Sequence, residues 1–256
     1  MATYWPLERR VDFVIMGAVK GGTTALDWFL SQHPSVCTAY NKETHFFDDP
    51  VFFEDGDPDY DWYHLSFAHV GDRTLVGEAA PTYMHDADAP DRLRSYKPDI
   101  KLIFLLRNPI DRAYSHFNMN VKFGRETRPF LDALHDELHG ERAHDSTLPA
   151  SSWSQAYIRC SRYGAHLTNV MRFFDREQML VLRTEVLRSD HDRTLLQVYD
   201  FLGLDTDLLP EPKTMNSFRY QRPLLPEEKS YLLEQLEPDI AQLEGLLAWD
   251  LRQWRA

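Results

Sequence analysis

The feature that most constrains the fold is a glycine-rich turn, residues 17–24, with the sequence GAVKGGTT. The apolar run at residues 11–16 predicts a buried strand before it, and residues 23–33 predict a helix after it. Such a unit, in which a glycine-rich turn with a lysine joins a strand to a helix, is suited to bind a phosphate group. The glycines let backbone N–H groups approach the anion, and the helix N-terminus adds partial positive charge. Residues 17–24 are termed the phosphate loop below.

The order of residues in the phosphate loop differs from that of a P-loop NTPase. In those enzymes the lysine follows the last glycine, in the pattern G-x-x-x-x-G-K-[ST]. Here Lys20 precedes the glycine pair, and a threonine follows the pair directly. The order argues against a nucleotide kinase or NTPase, which stays open as an alternative. A non-catalytic nucleotide-binding protein stays open as well.

Further apolar runs predict strands at residues 75–79, 101–106 and 179–183, with helical patterns between and after them. One of these helices covers residues 193–202 and is expected to stop at Gly203. Strands that alternate with helices predict an α/β fold with a mainly parallel central sheet. Ligands of such sheets bind at the carboxyl ends of the strands, where Gly17 and Arg107 are both expected.

A second candidate anion site begins at Arg107, in the segment RNPIDRAYS, residues 107–115. Asn108 and Pro109 end the strand and open a helix, which places Ser115 about two turns further on. An arginine and a hydroxyl that converge there can bind a phosphate, since arginine binds phosphate in a bidentate manner. Together with the phosphate loop, this segment predicts a ligand with two separated phosphate groups.

Four segments of this chain resemble motifs of one family, the sulfotransferases that depend on PAPS, 3′-phosphoadenosine 5′-phosphosulfate. The phosphate loop resembles the family's 5′-phosphosulfate loop, and residues 107–115 resemble its 3′-phosphate motif. KETHFFD, residues 42–48, and GEAAPTY, residues 77–83, are similar to segments of the bacterial carbohydrate (heparan-sulfate-type) branch. The resemblance implies a P-loop-like three-layer α/β/α fold, PAPS as sulfuryl donor and PAP as product.

The resemblance also implies roles for individual residues. Lys20 is expected to stabilise the leaving phosphate. Glu43 is the expected general base, and His45 orients the acceptor or acts as the base itself. Asp48 either takes part or only holds structure, while Phe46 and Phe47 are expected in the core. The residues expected to bind PAPS are Lys20, Gly21, Gly22, Thr23, Thr24, Arg107, Ser115 and Tyr163.

Composition limits the partners. A net charge of −12 argues against nucleic acid and against an acidic membrane surface, because both need a basic face. Residues 48–61 hold seven acids and no base, which favours a neutral or cationic acceptor, either a carbohydrate or a small molecule. A solvated acidic loop is the other interpretation of this stretch. No metal site is expected, since no segment has the spacing of a metal-binding motif.

The remaining expectations concern organisation and location. The length predicts a single domain over residues 1–256, with residues 138–155 as a surface loop or insertion. Residues 1–10 lack the apolar stretch of a signal peptide, so a cytoplasmic protein is expected. Cys37 and Cys160 are expected to be buried thiols. The sequence leaves the oligomeric state open.

Overall fold

Five parallel strands form one sheet in the computed structural model, which describes residues 9–54, 56, 58–139, 155–215 and 219–256. The strands are β1 (Phe13–Gly17), β2 (Val36–Thr38), β3 (Leu75–Ala79), β4 (Lys101–Leu106) and β5 (Met179–Arg183). Their order across the sheet is β2-β3-β1-β4-β5, and every pairing is parallel. The predicted α/β class with a central parallel sheet is confirmed.

The helices connect and follow the strands. In the part of the chain that the structure describes they are α1 (Thr23–Ser31), α2 (Tyr60–His64), α3 (Ala89–Tyr96), α4 (Pro109–Lys122), α5 (Phe130–His139), α6 (Tyr163–Val170), α7 (Thr184–Ser189), α8 (His191–Leu202) and α9 (Pro226–Leu247). Short 3-10 turns cover Pro50–Phe53, Leu65–Phe67, Arg159–Ser161, Arg176–Gln178 and Arg252–Trp254.

The chain divides into two compact units. The first, termed the sheet unit, comprises Met1–Leu106 and Val170–Ser217 and holds all five strands. The second, termed the helical unit, comprises Arg107–Asn169 and Phe218–Ala256 and holds α4, α5 and α9. The prediction of one domain over residues 1–256 stays a prediction. The loop expected at residues 138–155 lies outside the described residues except at its two ends.

The sheet is buried on both faces, as its apolar strands require. All five residues of β1 are buried, including those whose side chains point to opposite faces, such as Phe13 and Val14. On one face Phe13 and Ile103 join a core cluster with Leu26 of α1 and Leu195 of α8. Burial of this apolar surface is the main favourable contribution to folding of the sheet unit.

Three strands begin and end where the apolar runs predict them, namely β3, β4 and β5. β1 lies one to two residues later than predicted, at Phe13–Gly17, and α1 ends at Ser31 instead of residue 33. α8 begins two residues earlier than predicted, at His191, and ends at Leu202. Gly203 terminates α8 in the left-handed region, with φ of 76°, as its position predicts.

Two further expectations can be compared with the structure. Cys37 and Cys160 are both buried free thiols, which confirms the sequence-based interpretation. Among the described residues, no helix combines the length and apolar character needed to cross a membrane.

Gly77 of β3 pairs with Phe13 of β1, and a Cβ atom there would lie 2.2 Å from the phenyl ring. We therefore expect Gly77→Ala to lower the free energy of unfolding by about 1–3 kcal/mol through overpacking, measured by urea denaturation. Gly245→Ala in α9 is the control, because nothing lies within 4 Å of its added Cβ atom. That variant should gain about 0.4–1 kcal/mol. Equal stability of Gly77→Ala and the unchanged protein would contradict the tight contact.

Candidate active site

The phosphate loop lies between the end of β1 at Gly17 and the start of α1 at Thr23. Its backbone packs against β4: the N–H of Ala18 donates to the carbonyl of Leu105 at 3.1 Å. A Cβ atom on Gly21 would lie only 2.0 Å from that same carbonyl oxygen. Only glycine fits at position 21, because any side chain would push the loop away from the strand.

The loop enters α1 through left-handed backbone. Lys20 has φ of 66° and Gly22, the N-cap, has φ of 100°. Gly22 offers no side-chain cap, and the first N–H groups of a helix have no acceptor within the helix. Those donors at the start of α1, at Thr23 and Thr24, are the groups that bind anions at helix N-termini.

Thr184, the first residue of α7, also holds the loop. Its hydroxyl donates to the carbonyl of Gly21 at 2.5 Å, and both groups are buried. Thr184 was not predicted from the sequence. The available signal was its position, directly after β5 at the carboxyl edge of a parallel sheet.

The segment of residues 42–48 follows β2 and is fixed to β3 by a bond from the N–H of Glu43 to the carbonyl of Ala79, 3.1 Å long. Glu43 and His45 both have left-handed backbone, with φ of 67° and 55°. Such conformations cost free energy in residues other than glycine and cluster at functional sites. Thr44, between them, is held by buried groups described further below.

Four side chains of this segment form a row. The ammonium of Lys42 donates to Glu43 Oε1. Glu43 Oε2 lies 3.9 Å from His45 Nε2, and His45 Nδ1 lies 3.1 Å from Asp48 Oδ2 on its other side. Asp48 is fully buried, whereas 46% of the His45 side chain is exposed. The row therefore runs from a buried carboxylate to a solvent-accessible imidazole and carboxylate.

Asp48 sets the charge of the imidazole. The hydrogen bond to Asp48 raises the pKa of His45, and nearby Glu43 and Glu78 act in the same direction against the effect of burial. The sequence left open whether Asp48 takes part in the reaction or only holds structure. In the structure Asp48 contacts His45. The signal for this contact in the sequence was that His45 and Asp48 are only three positions apart.

Two more carboxyl groups of the sheet unit have perturbed pKa values. Burial raises the pKa of Asp27, on α1, to about 6, while the charge of Lys42 lowers it and that of Glu43 raises it. Burial raises the pKa of Glu78, on β3, to about 7, opposed by hydrogen bonds from hydroxyl groups. Neither residue was singled out in the sequence for a site, because their neighbours are distant along the chain.

The second candidate anion site lies in the helical unit. Asn108 caps α4, because its Oδ1 accepts from the N–H of Ile110 at 3.0 Å. Ser115 lies in α4 as predicted and is buried. Tyr163 is buried too, and its hydroxyl donates to the carbonyl of Arg107 at 3.0 Å, so it positions the backbone of Arg107. The roles of Arg107, Ser115 and Tyr163 in binding PAPS stay predictions.

The acidic stretch serves partly as helix caps. Asp49 accepts from the N–H of Val51, and Asp59 accepts from that of Trp62, each at 3.1 Å. Glu54 and Asp61 are exposed, and residues 55 and 57 lie outside the described part of the chain. Phe46 and Phe47 are fully buried, which confirms their place in the core. Among the described residues, no cluster of three or more His, Cys, Asp or Glu side chains has the geometry to hold a metal ion.

The contact between His45 and Asp48 has a measurable consequence. We expect Asp48→Asn to lower the pKa of His45, because the carboxylate that favours the imidazolium is gone while burial still disfavours it. An NMR titration of the His45 ring protons measures this change, and Thr82→Val, which removes a weaker 3.5 Å contact, is the control.

The pair of His45 and Asp48 also makes the stability of the fold depend on pH. The folded pKa of His45 is raised, so the stabilisation from its pair with Asp48 is fully present below pH 6.5 and is lost as pH rises through the folded pKa. In Asp48→Asn this part of the pH dependence should disappear. A pKa of His45 that is the same in both proteins would refute the pairing.

Comparison with known proteins agrees with the α/β fold of this chain. Residues 10–222 match the family described as the sulfotransferase domain. Human heparan sulfate glucosamine 3-O-sulfotransferase 3B1 is 34% identical over 75% of this chain and 45% of its own length. Mouse heparan sulfate glucosamine 3-O-sulfotransferase 6 is 35% identical over 75% of this chain and 52% of its own length. The chain thus spans about half the length of these curated relatives.

A solved structure covers nearly all of the chain. The crystal structure of a sulfotransferase from Alicyclobacillus acidocaldarius has a TM-score of 0.84 and 32% sequence identity, over 97% of this chain and 100% of that one. Its likeness extends over both the sheet unit and the helical unit. The match to the family covers most of the chain and includes the phosphate loop, the row at residues 42–48 and Arg107. This protein belongs to the sulfotransferase family.

Proposed function

We propose that this protein transfers a sulfuryl group from PAPS to a hydroxyl or amine group of a carbohydrate or small-molecule acceptor. The observation that carries the proposal is the row Lys42–Glu43–His45–Asp48, which lies in the same unit as a loop built to bind phosphate. A carboxylate that can accept a proton, held in the same unit as a candidate phosphate site, suits transfer to an acceptor that must lose a proton.

The phosphate loop fits the donor. The space beside Gly21 is closed by the carbonyl of Leu105, and the donors at the start of α1 have no acceptors within the helix. Gly21, Gly22, Thr23 and Thr24 would hold the 5′-phosphosulfate through these donors and hydroxyls. In the helical unit, Arg107 and Ser115 would hold the 3′-phosphate, with Tyr163 fixing the backbone of Arg107.

PAPS, when bound, supplies the sulfuryl group and leaves as PAP. Lys20 neutralises the negative charge that grows on the leaving phosphate oxygen as its bond to sulfur breaks, which is electrostatic stabilisation of the transition state. Glu43 accepts the proton that the acceptor hydroxyl or amine loses as its new bond to sulfur forms. His45 would orient the acceptor, and it is the alternative general base; its hydrogen bond to Asp48 raises its pKa.

The relatives that are named for heparan sulfate glucosamine 3-O-sulfation support a carbohydrate hydroxyl as acceptor. The charge of this chain supports an acceptor that is neutral or cationic instead of a polyanion. Its net charge is −12, and Glu54 and Asp61 are exposed a few residues after the row. Like charges repel, so this surface would slow association with a highly sulfated chain.

Substitutions distinguish residues that act in the transition state from a residue that binds PAPS. We expect Lys20→Ala and Glu43→Ala each to lower kcat by about a hundredfold or more, because each removes a group that acts in the transition state. Arg107→Ala should instead weaken PAP binding by about tenfold, the scale of one charged hydrogen bond. Isothermal titration with PAP and steady-state assays with PAPS measure both effects, with Arg193→Ala as control since 75% of its side chain is exposed.

Four results would contradict part or all of this assignment. Failure of the unchanged protein to bind PAP would refute the proposed function. Tight binding of PAP without transfer to any acceptor would favour a non-catalytic nucleotide-binding protein. Turnover of ATP that requires magnesium would favour a nucleotide kinase or NTPase. Near-normal kcat in Glu43→Ala would reassign the base to His45.

The acceptor charge can be tested with one sugar in three forms. We expect glucosamine oligosaccharides with free amines or N-acetyl groups to be sulfated with higher kcat/KM than the N-sulfated form, because the protein has a net charge of −12 and Glu54 and Asp61 are exposed. Added salt should reduce this difference in kcat/KM, because it screens the charges. The double variant Glu54→Gln, Asp61→Asn should reduce it as well. A preference for the N-sulfated form, unchanged in the double variant, would refute a neutral or cationic acceptor.

A further inference from the structure

A buried carboxyl group contacts residues 42–48, termed the catalytic segment below, and none of the roles proposed above involves it. It belongs to Glu78 of β3, which is fully buried. Its two oxygens accept hydrogen bonds from two different elements. Thr44 Oγ1 donates to Oε2 at 2.7 Å, and the hydroxyl of Tyr63, on α2, donates to Oε1 at 2.8 Å.

Thr44 is the residue between Glu43 and His45. Both of its neighbours are held in left-handed backbone, with φ of 67° and 55°. Residues with side chains leave this region unless surrounding contacts hold them there. The bond from Thr44 to Glu78 is a buried side-chain contact of this kind at the midpoint of the strained backbone.

Tyr83 completes the support. Its hydroxyl oxygen accepts from the N–H groups of Phe46 and Phe47, at 3.1 and 3.3 Å, and lies 3.0 Å from Thr44 Oγ1. Either hydroxyl can be the donor in the contact between Thr44 and Tyr83, and a hydrogen bond from Tyr83 also lowers the pKa of Glu78. Hydrogen bonds therefore connect the backbone of Phe46 and Phe47, through Tyr83 and Thr44, to Glu78.

We propose that Glu78 is a positioning residue for sulfuryl transfer, which acts through Thr44 and Tyr83 to hold Glu43 and His45 in the geometry that the reaction requires. The inference rests on the proposed function. Glu78 does not touch the reacting atoms. Its carboxylate accepts the hydrogen bond from Thr44, and so fixes the backbone from which the side chains of Glu43 and His45 project.

The two donors to Glu78 offer a matched pair of variants. Thr44→Val keeps the shape of the side chain but breaks the connection between Glu78 and the catalytic segment. Tyr63→Phe removes the other donor to the same carboxyl group and leaves that connection in place. If Glu78 only stabilised the fold, the two variants would affect kcat alike once their losses of Tm were matched.

Steady-state assays with PAPS and the best glucosamine oligosaccharide of the panel supply the first readout. We expect Thr44→Val to lower kcat by about tenfold or more through misplacement of catalytic groups, with KM for PAPS changed less than about twofold. Tyr63→Phe should keep kcat within about threefold, and Thr44→Ser, which restores the hydroxyl, should recover most of the loss. Equal losses in Thr44→Val and Tyr63→Phe, or an unchanged kcat in Thr44→Val, would overturn the proposal.

Hydrogen exchange supplies a readout that does not depend on activity. We expect the amides of Phe46 and Phe47 to exchange faster in Thr44→Val and in Tyr83→Phe, but not in Tyr63→Phe, because only the first two variants disturb their acceptor. Unchanged exchange in Thr44→Val would overturn the positioning role even if the protein transferred sulfuryl groups. Changed exchange in a protein that transfers none would instead overturn the proposed function alone.

Discussion

The site depends on one close approach, that of the Gly21 backbone to the carbonyl of Leu105 in β4. A Cβ atom at Gly21 would lie 2.0 Å from this oxygen, so the loop stays in contact with the strand only without a side chain. The hydroxyl of Thr184 holds the carbonyl of Gly21 from α7. Because β4 and β5 are neighbours in the sheet, both contacts are fixed by the pairing of parallel strands. The direction in which α1 offers its N–H groups follows from that pairing.

Strained backbone is concentrated where the proposed chemistry takes place. Lys20, Glu43 and His45 are three of the four non-glycine residues with positive φ among the described residues. Each such residue costs about 1–3 kcal/mol, which the surrounding contacts must offset. For Glu43 and His45 those contacts include the bond from Glu43 to Ala79 and the bonds at Thr44. The burial of Glu78, which raises its pKa to about 7, is a further cost of this arrangement.

The sequence predicted the strands well where the apolar runs were continuous, as in β3, β4 and β5. It missed β2, because three residues, VCT, carry too little periodicity to be recognised. The loop and the segment of residues 42–48 were predicted because their residues are consecutive. Thr184, Asp27 and Glu78 were missed as site residues, since what places them is contact between distant parts of the chain. No spacing in a single sequence reports that Tyr63 and Thr44 donate to one carboxyl group.

The connected hydrogen bonds from Phe46 and Phe47 to Glu78 limit how this catalytic segment can evolve. Thr44, Glu78 and Tyr83 come from separate stretches of the chain, yet each is hydrogen-bonded to another of the three. Replacing one of them by an apolar residue leaves a buried polar group without a partner. The seven residues KETHFFD are therefore not a portable unit: grafting them onto another parallel sheet would also require these supporting partners.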